Sequence, residues 1–259
     1  LRRINEGIVT RDNLGGFKEF IWYILAPLVI VCALILPNNF STSALVFING
    51  VVLMFIGRVK LSFIVKVLGF AFLGSLIIYG ATKFTSVGKR IMPRSETWVS
   101  RIDSYFVDGD EMDKDYQQMQ ALVAIQNGGI KGVGPGKSTQ RSILPYSESD
   151  FIYAIILEEY GLIGGISAIL LYLILLFRAV RISLKVDSIF GGLIVVGLMF
   201  SLVFQALINM LVSVEILPVT GQTLPLISMG GTSIVFTCIS IGIVLSVSRN
   251  SLTGEYGKA

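Results

Sequence analysis

Residues 150–178 read DFIYAIILEEYGLIGGISAILLYLILLFR, an apolar run that opens on a carboxylate and carries two more at Glu158 and Glu159. As one helix it would be about 42 Å long at ~1.5 Å per residue, well beyond a hydrocarbon core of ~30 Å, and both glutamates would lie in lipid. A break near Gly161 removes both conflicts. Residues 150–160 then form a short interfacial helix, and the true span begins with Glu158 and Glu159 near its N-terminus, where the helix dipole favours negative charge. Gly161 and Gly165 make a GxxxG pair, which predicts close contact with another helix.

The rest of the chain has the same character. With 53% hydrophobic and 15% charged residues and a mean hydropathy of +0.76, it is too apolar for a soluble globule. It reads as an all-α polytopic membrane protein. Apolar runs at 20–37, 44–57, 62–82, 161–178, 189–212 and 225–247 predict six spans, the second of them short. Arg58 and Lys60, then Arg178, Arg181 and Lys185, then Arg249 all fall on one side when the spans alternate. The positive-inside bias puts that side, with both termini, in the cytoplasm. The expected organisation is a cytoplasmic connector (1–19), three spans (20–82), a large extracytoplasmic loop with interfacial helices (83–160), three spans (161–249) and a cytoplasmic tail (250–259). Because the chain starts at Leu1 with no signal segment, it is expected to be a fragment with spans missing upstream.

Several chemistries are excluded outright. The chain has no histidine, so neither a Ser-His-Asp or Cys-His mechanism nor a histidine metal site is available. Cys32 and Cys238 lie inside apolar runs, which removes CxxC metal spacing and an extracellular disulfide framework.

Local signals fill in the spans. Trp22 and Tyr23 mark a headgroup-level start, Pro27 a kink or a first turn, and Ser41-Thr42 a candidate N-cap for the second span. Lys66 is read as a snorkelling lysine. The outer loop carries Lys83, Lys89, Arg90, Arg94 and Arg101, followed by Asp103, Asp108, Asp110, Glu111, Asp113 and Asp115. These five cations on the outer face suit an anionic ligand or a loop that neutralises itself, and Asp108-Gly109-Asp110 reads as a flexible turn. Residues 116–125 have the spacing of an amphipathic surface helix.

Residues 128–138 (GGIKGVGPGKS) end in Gly-Lys-Ser like a phosphate-binding P-loop. The position of the first glycine is Lys131 and no strand precedes it, so nucleotide binding is rejected. What remains is a loop whose backbone can approach a phosphate, with Lys137 and Arg141 beside it.

In the fifth span Ser201, Gln205 and Asn209 share one helical face, as helix glue or as the lining of a cavity. Irregular backbone at 218–233 is tolerated at membrane depth only inside protein or beside water, so it is expected to line the same outer cavity as Asp150. A carboxylate at such a boundary is costly. Two readings of Asp150 stay open on the residues alone: a base, or the N-cap of the helix starting at Phe151.

Taken together, these motifs resemble the SEDS family (shape, elongation, division and sporulation). The carrying residues are Gly132-Val133-Gly134, Gly136, Ser138, Gln140-Arg141, Leu144-Pro145 and Asp150-Phe151-Ile152-Tyr153-Ala154. They continue through Glu158-Glu159, Gly161, Gly164, Gln205, Asn209, Leu217-Pro218, Gly221, Leu224-Pro225, Ser228, Gly230-Gly231 and Ser233. The match covers about residues 20–250 and is tightest over 116–249. It implies a ten-span fold of which these are the last six. The division subfamily is the closer match, with Val219-Thr220-Gly221-Gln222 like that of Bacteroidetes-type bacteria. Three departures stand out: Val219-Thr220-Gly221 where many members have Thr-Lys-Gly, Glu148-Ser149-Asp150 where His-Thr-Asp is usual, and one residue fewer between Arg141 and Leu144.

The resemblance implies a peptidoglycan glycan-strand polymerase, an inverting glycosyltransferase that uses lipid II and releases undecaprenyl pyrophosphate. Asp150 matches the family's essential aspartate and is assigned as base. Arg101, Lys137, Gln140 and Arg141 are candidates for holding the substrate's pyrophosphate. Glu158, Glu159, Gln205, Asn209, Ser228, Gly230, Gly231 and Ser233 are expected to line the cavity, and a divalent cation (Mg or Mn) is a possible cofactor. Expected partners are lipid II, the nascent glycan strand, a class B penicillin-binding protein and other division proteins, with no nucleic acid. The expected location is the bacterial inner membrane at the septum. A lipid-linked-precursor flippase and a non-catalytic division scaffold are the alternatives.

Overall fold

In the computed structural model, residues 20–84 and 115–256 are described. A π-helical turn, Ile21–Leu25, runs without interruption into α1 (Ala26–Ile35), with Pro27 in the first turn of α1. After the turn containing Pro37 comes α2 (Phe40–Ile56), capped by Asn39, whose side chain accepts the Thr42 N–H at 3.1 Å. The cap is therefore Asn39 and not Ser41 or Thr42. Only Asn39 has the extended backbone of an N-cap, and the other two already lie in the first helical turn.

The remaining helices are α3 (Leu61–Phe84), α4 (Asp115–Gly128), α5 (Gln140–Ile143), α6 (Ile152–Lys185), α7 (Ile189–Ser213) and α8 (Gly231–Tyr256). Three of them, α6, α7 and the 231–249 part of α8, are long and apolar enough to cross a membrane; Ile21–Ile35, Phe40–Ile56 and Leu61–Ile77 are shorter apolar helices. The last span starts at Gly231 rather than 225, because Ile227 and Ser228 turn back to donate to the Leu224 carbonyl.

Helix α7 is the centre of the bundle and packs against α6, α8 and α2. Leu157 and Tyr172 of α6 meet Val203, Ala206 and Met210 of α7 in one buried cluster. Nearer the other end, Ala179, Val195, Met199 and Val244 join α6, α7 and α8. Phe20, Met54, Phe63 and Val67 close the α1–α3 unit, with the Phe20 and Phe63 rings stacked at 5.1 Å. The exposed ammonium of Lys66 lies 5.9 Å from the Phe63 ring centroid, its stem along the helix surface.

Helix α6 is broken at Gly161, whose φ of 66° and ψ of −167° are foreign to a helix. Into the break docks the glycine-rich loop. Val133 and Gly134 donate N–H groups to the carbonyls of Glu158 and Glu159 at 3.0 Å each, and Gly129 accepts from Leu162 at 2.9 Å. The main-chain groups freed by the break are paired again by the loop, as burial requires. A Cβ on Gly161 would lie 2.4 Å from the Ile130 oxygen, and one on Gly132 2.2 Å from the Glu159 oxygen.

Two expectations change here. The loop does not hold these amides open for a phosphate, because Val133 and Gly134 are engaged by α6. The GxxxG pair does not join two helices either: Gly161 meets the loop, and Gly165 makes room for Leu157 and Tyr153 from the preceding segment of its own helix. Likewise α4 does more than lie on a surface. Ala121 and Ala124 are buried against Phe151, Ala154 and Ile155.

Candidate functional site

Asp150 stands at the end of a turn in which the Tyr146 carbonyl accepts the N–H of Ser149 at 3.1 Å and of Asp150 at 3.0 Å. Helix α6 then begins at Ile152, with Phe151 at the cap position and no side-chain cap hydrogen bond. The Asp150 carboxylate is therefore not used as an N-cap. It is half-buried; Oδ1 accepts from Ser149 Oγ at 3.1 Å, and Oδ2 lies 3.8 Å from where a Cβ on Gly221 would stand. Gly221 has a φ of +66°, a left-handed conformation that suits a residue without a side chain.

The main chain around Asp150 is held from three directions. Asn209 Nδ2, on α7, donates to the carbonyl of Asp150 at 2.7 Å and to that of Gln222 at 2.7 Å. Ser228 Oγ donates to the Ser149 carbonyl at 2.5 Å while accepting the Leu224 N–H at 2.7 Å. The Met229 N–H reaches the Glu148 carbonyl at 2.9 Å. The irregular segment predicted at 218–233 and the start of α6 are thus one hydrogen-bonded unit.

The polar stripe of α7 works as a brace along its length. Ser201 Oγ accepts from Asn49 Nδ2 at 3.2 Å, Gln205 Nε2 donates to the Thr223 carbonyl at 3.1 Å, and Asn209 holds Asp150 and Gln222. Gln222 Nε2 in turn donates to Thr42 Oγ1 at 3.0 Å, and Thr223 Oγ1 to Ser233 Oγ at 3.1 Å. Gly230 lies tight against Ser233 and Thr223, and Gly231 opens α8 on the surface.

Glu158 is 1% exposed and serves as the anchor of the loop that follows the glycines. Its carboxylate accepts from Ser138 Oγ, from Thr139 N at 3.2 Å and Oγ1 at 2.9 Å, and from Gln140 N at 3.3 Å. Glu158 is thus an internal brace, not a cavity wall. Gln140 is buried beside it, whereas Lys137 and Arg141 are exposed and Glu159 is half-buried. Arg141 takes its N–H to Ser138 Oγ at 3.0 Å and pairs its guanidinium with Glu148 at 2.8 Å, an interaction that raises its pKa further.

The structure thus joins Asp150, Gln205, Asn209, Ser228 and Ser233 in one network, and Arg141 reaches it through Glu148. Arg101, the other outer-loop charges from Lys89 to Asp113 and the Asp108-Gly109-Asp110 turn lie outside the described residues. An apolar cavity of about 830 Å³ lies between α6 and α8, walled by residues such as Leu171, Tyr172 and Val244, and none of the predicted site residues among those described lines it. Among the described residues no three His, Cys, Asp or Glu side chains cluster as metal ligands. Sequence reasoning missed Ser149 and Gly221, the immediate neighbours of the carboxylate. Both were read only within the family resemblance, Ser149 in Glu148-Ser149-Asp150 and Gly221 in Val219-Thr220-Gly221-Gln222.

The chain is similar to known proteins in sequence and in fold. The family described as FTSW_RODA_SPOVE, cell cycle protein, matches residues 9–253. Stage V sporulation protein E of Bacillus subtilis is 39% identical over 155 residues, covering 59% of this chain and 42% of that protein. The probable peptidoglycan glycosyltransferase FtsW of Hahella chejuensis is 31% identical over 98% of this chain and 61% of its own length. The probable peptidoglycan glycosyltransferase FtsW of Haemophilus influenzae is 32% identical over 100% of this chain and 62% of its own. The chain therefore spans about three-fifths of the length of these two FtsW relatives. A solved structure described as "Structural coordination of polymerization and crosslinking by a peptidoglycan synthase complex" shares the fold at a TM-score of 0.66 and 23% identity, covering 88% of this chain and 61% of that one. On the match of the family over nearly its whole length, this chain belongs to the FtsW/RodA/SpoVE cell cycle proteins, the SEDS family that its motifs resemble.

Proposed function

We propose that the protein of which this chain forms part polymerises peptidoglycan glycan strands from lipid II, with Asp150 as the base. The observation that carries the reading is the Asp150 carboxylate itself. It is half-buried, free of any capping duty, and held through its main chain by Asn209 while the adjoining Ser149 carbonyl is held by Ser228. In the reaction the acceptor sugar's 4-hydroxyl attacks the anomeric carbon of the lipid-linked donor. The new glycosidic bond forms as the bond to pyrophosphate breaks, the leaving group takes that electron pair, and Asp150 takes the hydroxyl proton. Arg141 and Lys137 offer cationic donors for the departing pyrophosphate, with Arg101 as a further candidate.

The names of the relatives support this activity, and their FtsW assignment supports the division subfamily and a septal, inner-membrane location. The distribution of cations supports an outward-facing 83–160 loop with both termini in the cytoplasm. The solved complex, described as coordinating polymerisation with crosslinking, supports a class B penicillin-binding protein as partner.

The test is elongation of lipid II by the intact protein with its transpeptidase partner in detergent. Asp150→Ala is expected to abolish it. An alanine variant that elongates at the normal rate removes the base assignment, and a wild-type protein that moves lipid II across a bilayer without elongating it points to a flippase.

A further inference from the structure

Asn209 is 1% exposed, and its side-chain nitrogen meets two carbonyl oxygens from separate segments, Asp150 and Gln222, each at 2.7 Å. Two acceptors at that distance fix which way the amide points, since an oxygen in the same place would face two oxygens. The amide oxygen is therefore turned the other way, where it is buried and has no hydrogen-bond partner among the described residues.

The two gripped carbonyls belong to the two walls that face each other at the site. One is the carbonyl of Asp150. The other is that of Gln222, next to Gly221, whose missing Cβ would stand 3.8 Å from Asp150 Oδ2. The grip extends outward, because the Gln222 side chain is bonded to Thr42 on α2.

We propose that Asn209 is a positioning residue for the base: one amide sets the direction of the Asp150 carboxylate and its distance from the backbone opposite. The inference rests on the polymerase reading above and deepens it. Without the grip, the peptide plane that orients the Asp150 side chain can turn, and a displacement of ~1 Å at a reacting group costs about a hundredfold in rate. The loss falls on kcat, because Asn209 itself does not touch substrate.

The informative variant is Asn209→Asp, which keeps the shape, loses both donors when ionised and regains one when protonated. The intact protein with its transpeptidase partner in nanodiscs is assayed on lipid II, with rates expressed per folded molecule by size-exclusion chromatography. The expected result is a kcat about a hundredfold lower at neutral pH with KM nearly unchanged, and a deficit relative to wild type that shrinks as pH falls. Asn209→Ala should show the same kcat loss with a deficit that does not depend on pH. A normal kcat per folded molecule in either variant, a loss confined to KM, or an Asn209→Asp deficit independent of pH overturns the proposal. Wild-type protein that elongates while Asp150→Ala does not keeps the polymerase reading standing through any of those results. A wild type that fails to elongate, or an active Asp150→Ala, removes the polymerase reading and this inference with it.

Discussion

The Ser228 hydroxyl lies 2.5 Å from the main-chain oxygen of Ser149, a contact that helps tie the irregular segment before α8 to the turn that carries Asp150. The Ser228 hydroxyl oxygen in turn accepts the Leu224 N–H. In Ser228→Ala both a donor and an acceptor lose their partner at a site 3% exposed, at about 1–3 kcal/mol for each buried group left unpaired. The variant is expected to unfold several degrees below wild type in detergent, at roughly 2–4 °C per kcal/mol for a chain of this size. An unchanged midpoint would show that this contact does not hold the two segments together.

Glu158 gives a prediction about the loop it anchors. Its carboxylate accepts from Ser138, Thr139 and Gln140, and Glu158→Gln, of nearly the same size, turns one accepting oxygen into a donor facing donors. The variant is expected to be less stable than wild type by about 1–3 kcal/mol in thermal unfolding. An unchanged midpoint would show that the carboxylate does not hold the 138–140 segment.

The break in α6 depends on a residue without a side chain. Gly161→Ala would put a methyl 2.4 Å from the Ile130 oxygen at a φ of 66°, so the loop of residues 128–134 has to leave its seat. A destabilisation of about 3 kcal/mol or more is expected, from the strained backbone and the lost main-chain pairing. Gly69→Ala, with nothing within 4 Å, should stay within about 1 kcal/mol of wild type and serves as the control. Equal effects of the two substitutions would contradict the docking of loop on helix.

Features governed by length and charge were legible in the sequence. A 150–178 helix too long for a bilayer, with glutamates in its middle, demands a break, and only Gly161 offers one at the right depth. The shared face of Ser201, Gln205 and Asn209 follows from helical spacing, and all three side chains hydrogen-bond to other segments. Less legible were features decided by the third dimension. Asn39 and Ser41 are both good capping residues, and only the backbone angle at 39 decides between them. The glycines at 128–136 look like a phosphate cradle because a chain that must approach any backbone closely needs glycine, and here that backbone is the broken end of α6. Ser149 and Gly221 became part of the site only when the turn at 146–150 met the segment at 221–228.

Arg141 and Glu148 form a half-exposed ion pair, the kind that contributes ~0–1 kcal/mol and exchanges partners readily. If Arg141 receives the donor's pyrophosphate, Arg141→Ala should raise KM for lipid II about tenfold or more with a smaller change in kcat, and Arg141→Lys should recover part of the loss. Glu148→Gln, which frees the guanidinium, should leave KM equal or lower. A higher KM in Glu148→Gln with a normal KM in Arg141→Ala would remove Arg141 from the phosphate site.

The most direct test of Asp150 as base is the rate at which Asp150→Asn elongates lipid II, because this side chain has nearly the size of the original and cannot take a proton at neutral pH. The prediction is a rate lower by roughly 10²–10⁴-fold, with the protein folded and still bound to the proposed transpeptidase partner. A folded, partner-bound Asp150→Asn protein that polymerises within about threefold of wild type would contradict it.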